Sequence, residues 1–108
     1  MIDEKEFEAR AGEALRKLEA ALRDAADELD ADLAGDILTL EFDDGARFVI
    51  NSHAAARQIW MAANLAAMHF GWHEATQSWR DTKSGAELFT ELGRMVSEKL
   101  AQPVKLRD

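Results

Sequence analysis

The chain has 108 residues, 31% of them charged, no cysteine and a formal net charge of −8. That length fits one domain over residues 1–108, with enough chain to bury about two-thirds of its unfolded surface. The lack of Cys excludes disulfides, thiolate metal sites and cysteine-ligated iron–sulfur clusters, and the acidic balance argues against nucleic-acid binding.

The first segment reads as an amphipathic helix. Phe7, Ala11, Leu15, Leu18, Leu22 and Ala25 recur at three- and four-residue steps and fall on one stripe. Asp3 and Glu6 stand in capping-box positions, with Ile2 and Phe7 placed for a hydrophobic staple. Glu13 and Asp24 fall opposite Leu15 and point to water.

The period then changes to two. A short opening strand is expected around Asp30–Leu33. In Ile37–Phe42, the residues Leu38, Leu40 and Phe42 share one strand face. Asp43-Asp44-Gly45 is a hairpin signal, and the return strand carries Phe48 and Ile50 inward. Further strands are expected over Gln58–Ala62, Met68–Trp72 and Ser78–Arg80. A closing helix follows, with Ser84 and Glu87 as a capping-box pair and Leu88, Phe89, Leu92, Met95, Val96 and Leu100 as its stripe. Pro103 is expected to end it, and Val104-Lys105-Leu106 to lie back on the domain. Helix, antiparallel strands, helix is the order of a two-layer α+β sandwich, with both helices on one face of the sheet. The strand around Trp60 has two phases. If Ile59 and Met61 point inward, Trp60 stands on the open face with Asn51 and Gln58; a one-residue slip buries it.

The charge is crowded into one end. Residues 1–44 hold 15 Asp and Glu against 5 Lys and Arg, whereas residues 45–108 hold 6 against 8. Crowded like charges repel and destabilise the fold, and their field draws cations or a basic surface. The longest apolar runs are only a few residues, and the N-terminus lacks a signal-peptide core, so neither a membrane span nor export is expected. A cytoplasmic monomer is the expectation. No P-loop, nucleophile elbow or Glu-x-x-His di-iron pair occurs. No dedicated catalytic site is expected. His69 and His73 are four apart, roughly 13 Å on a strand and too far to share an ion. His53, His69 or His73 could offer haem an axial nitrogen.

In Ile37–Phe42, Asp43-Asp44-Gly45, Phe48-Val49-Ile50-Asn51, Gln58-Ile59-Trp60-Met61-Ala62, His69-Phe70, Trp79, Asp81 and Ser84-Gly85, the chain resembles the frataxin family, in particular its bacterial branch. The resemblance implies two terminal helices on a five- to six-stranded antiparallel sheet. It also implies iron binding (ferrous or ferric, weak and at several sites) and assistance to iron–sulfur cluster assembly with a cysteine desulfurase and a scaffold protein. By position, the family's acidic ridge maps onto Glu19, Asp24, Asp27, Glu28, Asp30 and Asp32, and its partner-facing sheet residues onto Asn51, Gln58 and Trp60. Some positions depart from the family. Ala20, Arg23, Ala25 and Ala26 stand where acids or Trp are common, Asn64–Ala67 lacks the usual glycine pair, and Met68 replaces Tyr. Hard oxygen ligands suit iron without His or Cys, at modest affinity and poor selectivity, and ferrous iron held this way could be oxidised slowly by oxygen without a dedicated site. The same acids could instead form a metal-free surface that docks a basic partner.

Overall fold

The computed structural model describes residues 2–25, 27–63 and 65–107; Ala26 and Asn64, two of the family departures, lie outside the described residues, as do Met1 and Asp108. Helix α1 spans Glu4–Ala25, and six strands follow: β1 Leu29–Ala34, β2 Ile37–Phe42, β3 Arg47–His53, β4 Gln58–Ala63, β5 Ala66–His73 and β6 Ser78–Asp81. Helix α2, Leu88–Leu100, closes the chain. The strands form one antiparallel sheet in sequence order, β1 to β6. The α+β sandwich expected from the sequence is the fold observed. Among the described residues no helix is long and apolar enough to cross a membrane.

Helix α1 packs on β1, β2 and β3 through Phe7, Ala11, Ala14, Leu15, Leu18 and Leu22. Ala14 joins the expected stripe, whereas Ala25, at the helix end, is exposed. Asp3 caps the helix, its Oδ1 accepting the Glu6 N–H at 2.8 Å. The capping box is half made, because the Glu6 carboxylate pairs with Arg10 instead. The β2–β3 turn follows the Asp-Gly signal. Gly45 takes a φ of +86°, a conformation that side-chain-bearing residues rarely adopt, and Asp44 Oδ1 accepts the Ala46 N–H.

Helix α2 begins differently from the expectation. Glu87 is itself the cap, its carboxylate accepting the N–H groups of Phe89 and Thr90. Ser84 lies in the preceding turn, bonded to Asp81 rather than to the helix. The helix stops at Leu100 because Ala101 turns into the left-handed region at φ 55°; Pro103 lies beyond the end. The tail does fold back. Val104 and Leu106 are buried, and Ser97 Oγ accepts the Val104 N–H at 2.8 Å and donates to its carbonyl at 2.9 Å. The core therefore sits between helices and sheet, and the other sheet face is left open.

Candidate functional site

The acidic residues around the end of α1 do not all stand free. The Glu19 carboxylate accepts the Leu33 N–H at 3.0 Å and pairs with Arg23 at 3.1 Å. Arg23 donates twice to the Ala31 carbonyl, at 3.2 and 3.1 Å. Ala31 and Leu33 belong to β1, the edge strand, so this pair occupies backbone groups that an open edge would leave unmatched. Glu19 is thus held in a structural contact. Glu28 accepts the Gln102 amide at 3.0 Å. Asp24, Asp27, Asp30 and Asp32 are exposed, and no hydrogen bond or ion pair ties their side chains to another described residue.

Asp30 and Asp32 alternate with the buried Leu29 and Ala31, which turns both acids onto the open sheet face. There Asp30 is directly opposite Glu41, and Asp32 opposite Thr39. These four, with Arg47, line a shallow recess of about 270 Å³. Glu41 joins the acidic group although its position in the sequence gave no sign of it; only the strand register brings it there. Its charge is partly matched by Arg47 at 3.0 Å. A second recess, about 220 Å³, is lined by Glu28, Phe42, Asp43, Asp44, Lys99 and Leu100. Here the Lys99 ammonium and the Ala46 N–H hold the Asp44 carboxyl below the usual aspartate range.

Among the described residues, no three carboxylates or imidazoles converge on a point that could hold a metal ion. A hydrated cation at such a surface would meet one or two carboxylates and keep most of its water. Like charges directly across two strands are destabilising. Replacing Asp30 with Asn is therefore expected to raise stability by about 0.2–1 kcal/mol, read as a higher melting temperature. A lower one would show that Asp30 carries a structural contact.

The expected partner-facing residues come together on the same open face. Ile59 and Met61 are buried toward the helices, so Trp60 points outward, opposite Asn51 on β3 and beside Gln58 on β4. This settles the strand phase that the sequence left open. Ile37, 44% exposed and paired with Asn51, extends the row as an apolar neighbour. Trp60 is half-buried rather than bare. Its Nε1–H donates to Gln58 Oε1 at 2.8 Å, and the rings of His53 and His69 stack against it. Trp60→Ala is expected to cost about 1–2 kcal/mol, from two lost ring contacts, against the 3–5 kcal/mol typical of a core aromatic. Urea unfolding measures this, and a loss above 3 kcal/mol would place the indole in the core.

The imidazoles are engaged too. His73 Nδ1 lies 2.9 Å from Thr76 Oγ1, and His69 and His73 sit four apart on β5, the strand spacing that keeps them from sharing an ion.

Comparison with known proteins agrees with this geometry. A family model described as "Frataxin-like domain" matches residues 1–102. The "Iron-sulfur cluster assembly protein CyaY" of Dechloromonas aromatica is 39% identical over 107 residues, covering 98% of this chain and 100% of its own. The protein of that name from Ralstonia nicotianae is 40% identical over 109 residues, covering 97% and 95%. The solved frataxin of Psychromonas ingrahamii superimposes with a TM-score of 0.89 at 25% identity, covering 99% of this chain and all of that one. A family match over residues 1–102 and relatives about 40% identical along nearly the whole chain place this two-helix, six-strand sandwich in the frataxin family.

Proposed function

We propose that this protein is an accessory factor of iron–sulfur cluster assembly that binds iron loosely at its acidic surface and docks the assembly machinery through its open sheet face. The broad role follows from the family, whose bacterial members carry that process in their names. The iron reading is carried by one observation: Asp24, Asp27, Asp30 and Asp32 are exposed and untied to any described cation, in the last turn of α1, the turn that follows and β1. Such carboxylates can replace a water of a hydrated cation with an oxygen ligand. Loose, multiple sites suit a protein that passes metal on or responds to its level. Ferrous or ferric iron is cargo here, and the proposal gives haem no role.

The cysteine desulfurase and the scaffold protein are the proposed partners. The acidic surface steers a basic partner, with association weakening as salt rises. Asn51, Gln58 and Trp60 supply a denser contact on the sheet face, where tryptophan is the residue type that most often anchors an interface.

A second reading is favoured by the absence of any convergent ligand group among the described residues. In it, the acids only dock a basic partner and metal has no part. Calorimetry with ferrous iron under strict anaerobiosis separates the two. The fourfold variant Asp24→Asn, Asp27→Asn, Asp30→Asn, Asp32→Asn is expected to lose most of the heat of iron binding. Iron binding that survives in this variant while desulfurase binding collapses would show that these acids hold the partner and not the metal; the absence of any iron-binding heat in the unaltered protein would favour the metal-free reading.

A further inference from the structure

The open sheet face carries an arrangement that the acidic surface does not explain. The imidazole of His53, at the end of β3, lies 3.9 Å from the Trp60 ring centroid with planes 10° from parallel. The imidazole of His69, on β5, lies 4.6 Å from it at 22°. Because β4 runs between β3 and β5, the two rings reach the indole from opposite strands. The indole N–H is already donated to Gln58, two residues back on the same strand face. All three ways in which a tryptophan commonly engages a partner, two ring faces and one donor, are thus occupied within the chain, which leaves the outer edge.

The two histidines are held unequally. The His69 backbone is fixed at both groups, its N–H donating to Asp81 at 3.3 Å and its carbonyl accepting from Thr82 at 2.9 Å. The His53 Nδ1 is shielded from solvent and has no hydrogen-bond partner among the described residues. The His53 ring thus rests against the indole with no such bond to hold it. Nearly parallel rings at these separations attract each other, and no metal or acid chemistry is needed to account for them.

We propose that His53 and His69 are positioning residues that hold Trp60 in one orientation, so that the docking face meets its partner with a preset indole edge. This rests on the reading that the sheet face docks a partner. The physical gain is that a side chain ordered beforehand does not have to be immobilised on binding. Asn51 and Ile37 flank the indole edge along the row across β2 and β3. They are the neighbours against which that edge would be read.

Nitrogen-15 relaxation of the indole N–H groups tests this in the free protein, since the chain has three Trp and so three such signals; Trp60→Phe identifies the one in question. Binding to the scaffold protein is measured in parallel by calorimetry. In the double variant His53→Ala, His69→Ala, the Trp60 signal is expected to show markedly greater motion, and the dissociation constant to rise about threefold to tenfold, the cost of ordering one large side chain. The double variant His53→Phe, His69→Phe keeps flat rings without imidazole nitrogens and is expected to restore both, a rescue that loss of general stability would not give. Should the double alanine variant misfold, His69→Ala alone, at an exposed position, gives the same readouts at smaller amplitude. The proposal is overturned if Trp60→Ala weakens binding while the alanine variants leave both affinity and indole order unchanged. If Trp60→Ala itself leaves affinity unchanged, the docking reading fails and the proposal goes with it.

Discussion

Phe89→Ala is expected to lower the free energy of unfolding by about 3–5 kcal/mol. Phe89 is 1% exposed, in the first turn of α2, and its backbone N–H is fixed by the Glu87 carboxylate at 2.8 Å. Its neighbours cannot collapse into the space its ring leaves. Capping holds the start of the helix, and at the far end Ser97 ties α2 to the buried tail. The loss therefore combines the transfer of the ring with an unfilled cavity. Urea denaturation with an unchanged m-value measures it. A loss below about 1 kcal/mol would mean that α2 can shift on the sheet and that the helix layer is looser than described.

Asp81→Ala is expected to cost about 2–4 kcal/mol, a large effect for a polar residue. The Asp81 carboxylate is 8% exposed and accepts the N–H groups of His69 (3.3 Å), Lys83 (3.2 Å) and Ser84 (2.8 Å) and the Ser84 hydroxyl (2.9 Å). It knits the end of β6 to the turn before α2 and to β5. Removing it takes away at once the shared acceptor of four part-buried bonds that hold this corner together. Burial pushes its carboxyl upward, but the donors, led by Ser84, outweigh that and hold it below the usual aspartate value of 3.8. A carboxyl depressed in the native state binds fewer protons there than in the unfolded chain. Its stabilisation is therefore whole above the ordinary aspartate range and fades as pH falls through that range toward the lower native value. Asp81→Ala should accordingly flatten the acid limb of the stability–pH curve. An unaltered acid limb would mean that other carboxylates set it.

Much of the architecture could be read from periodicity, for reasons the structure makes plain. The stripe on α1 and the alternation through β2 and β3 reflect burial on one side only, so apolar residues mark that side. The phase of β4 could not be read this way. Ile59, Trp60 and Met61 are all apolar, so either phase would bury a hydrophobic residue, and only pairing with β3 and β5 decides which. The start of α2 misled for a similar reason. Ser84 and Glu87 have capping-box spacing, yet Asp81 binds Ser84 first and leaves Glu87 to cap alone.

The acidic surface was legible as charge but not as geometry. Sequence cannot tell that Glu19 faces an edge strand, where its carboxylate accepts a free backbone N–H, while Asp24, only five residues on, stays in water. Nor can it tell that Glu41 lies across from Asp30, because that depends on which residues pair. The stacking of His53 and His69 on Trp60 joins three strands and has no signature in local spacing at all.

Whether the exposed aspartates from the end of α1 into β1 hold iron, as proposed, is decided by titrating ferrous iron into nitrogen-15-labelled protein without oxygen. Paramagnetic broadening is predicted to begin at residues 24–32 and at Glu41 across the strand pair, and to be lost from that region in the fourfold aspartate variant. Broadening that starts instead around His69 and His73, or that leaves residues 24–32 sharp at saturating iron, would contradict the account.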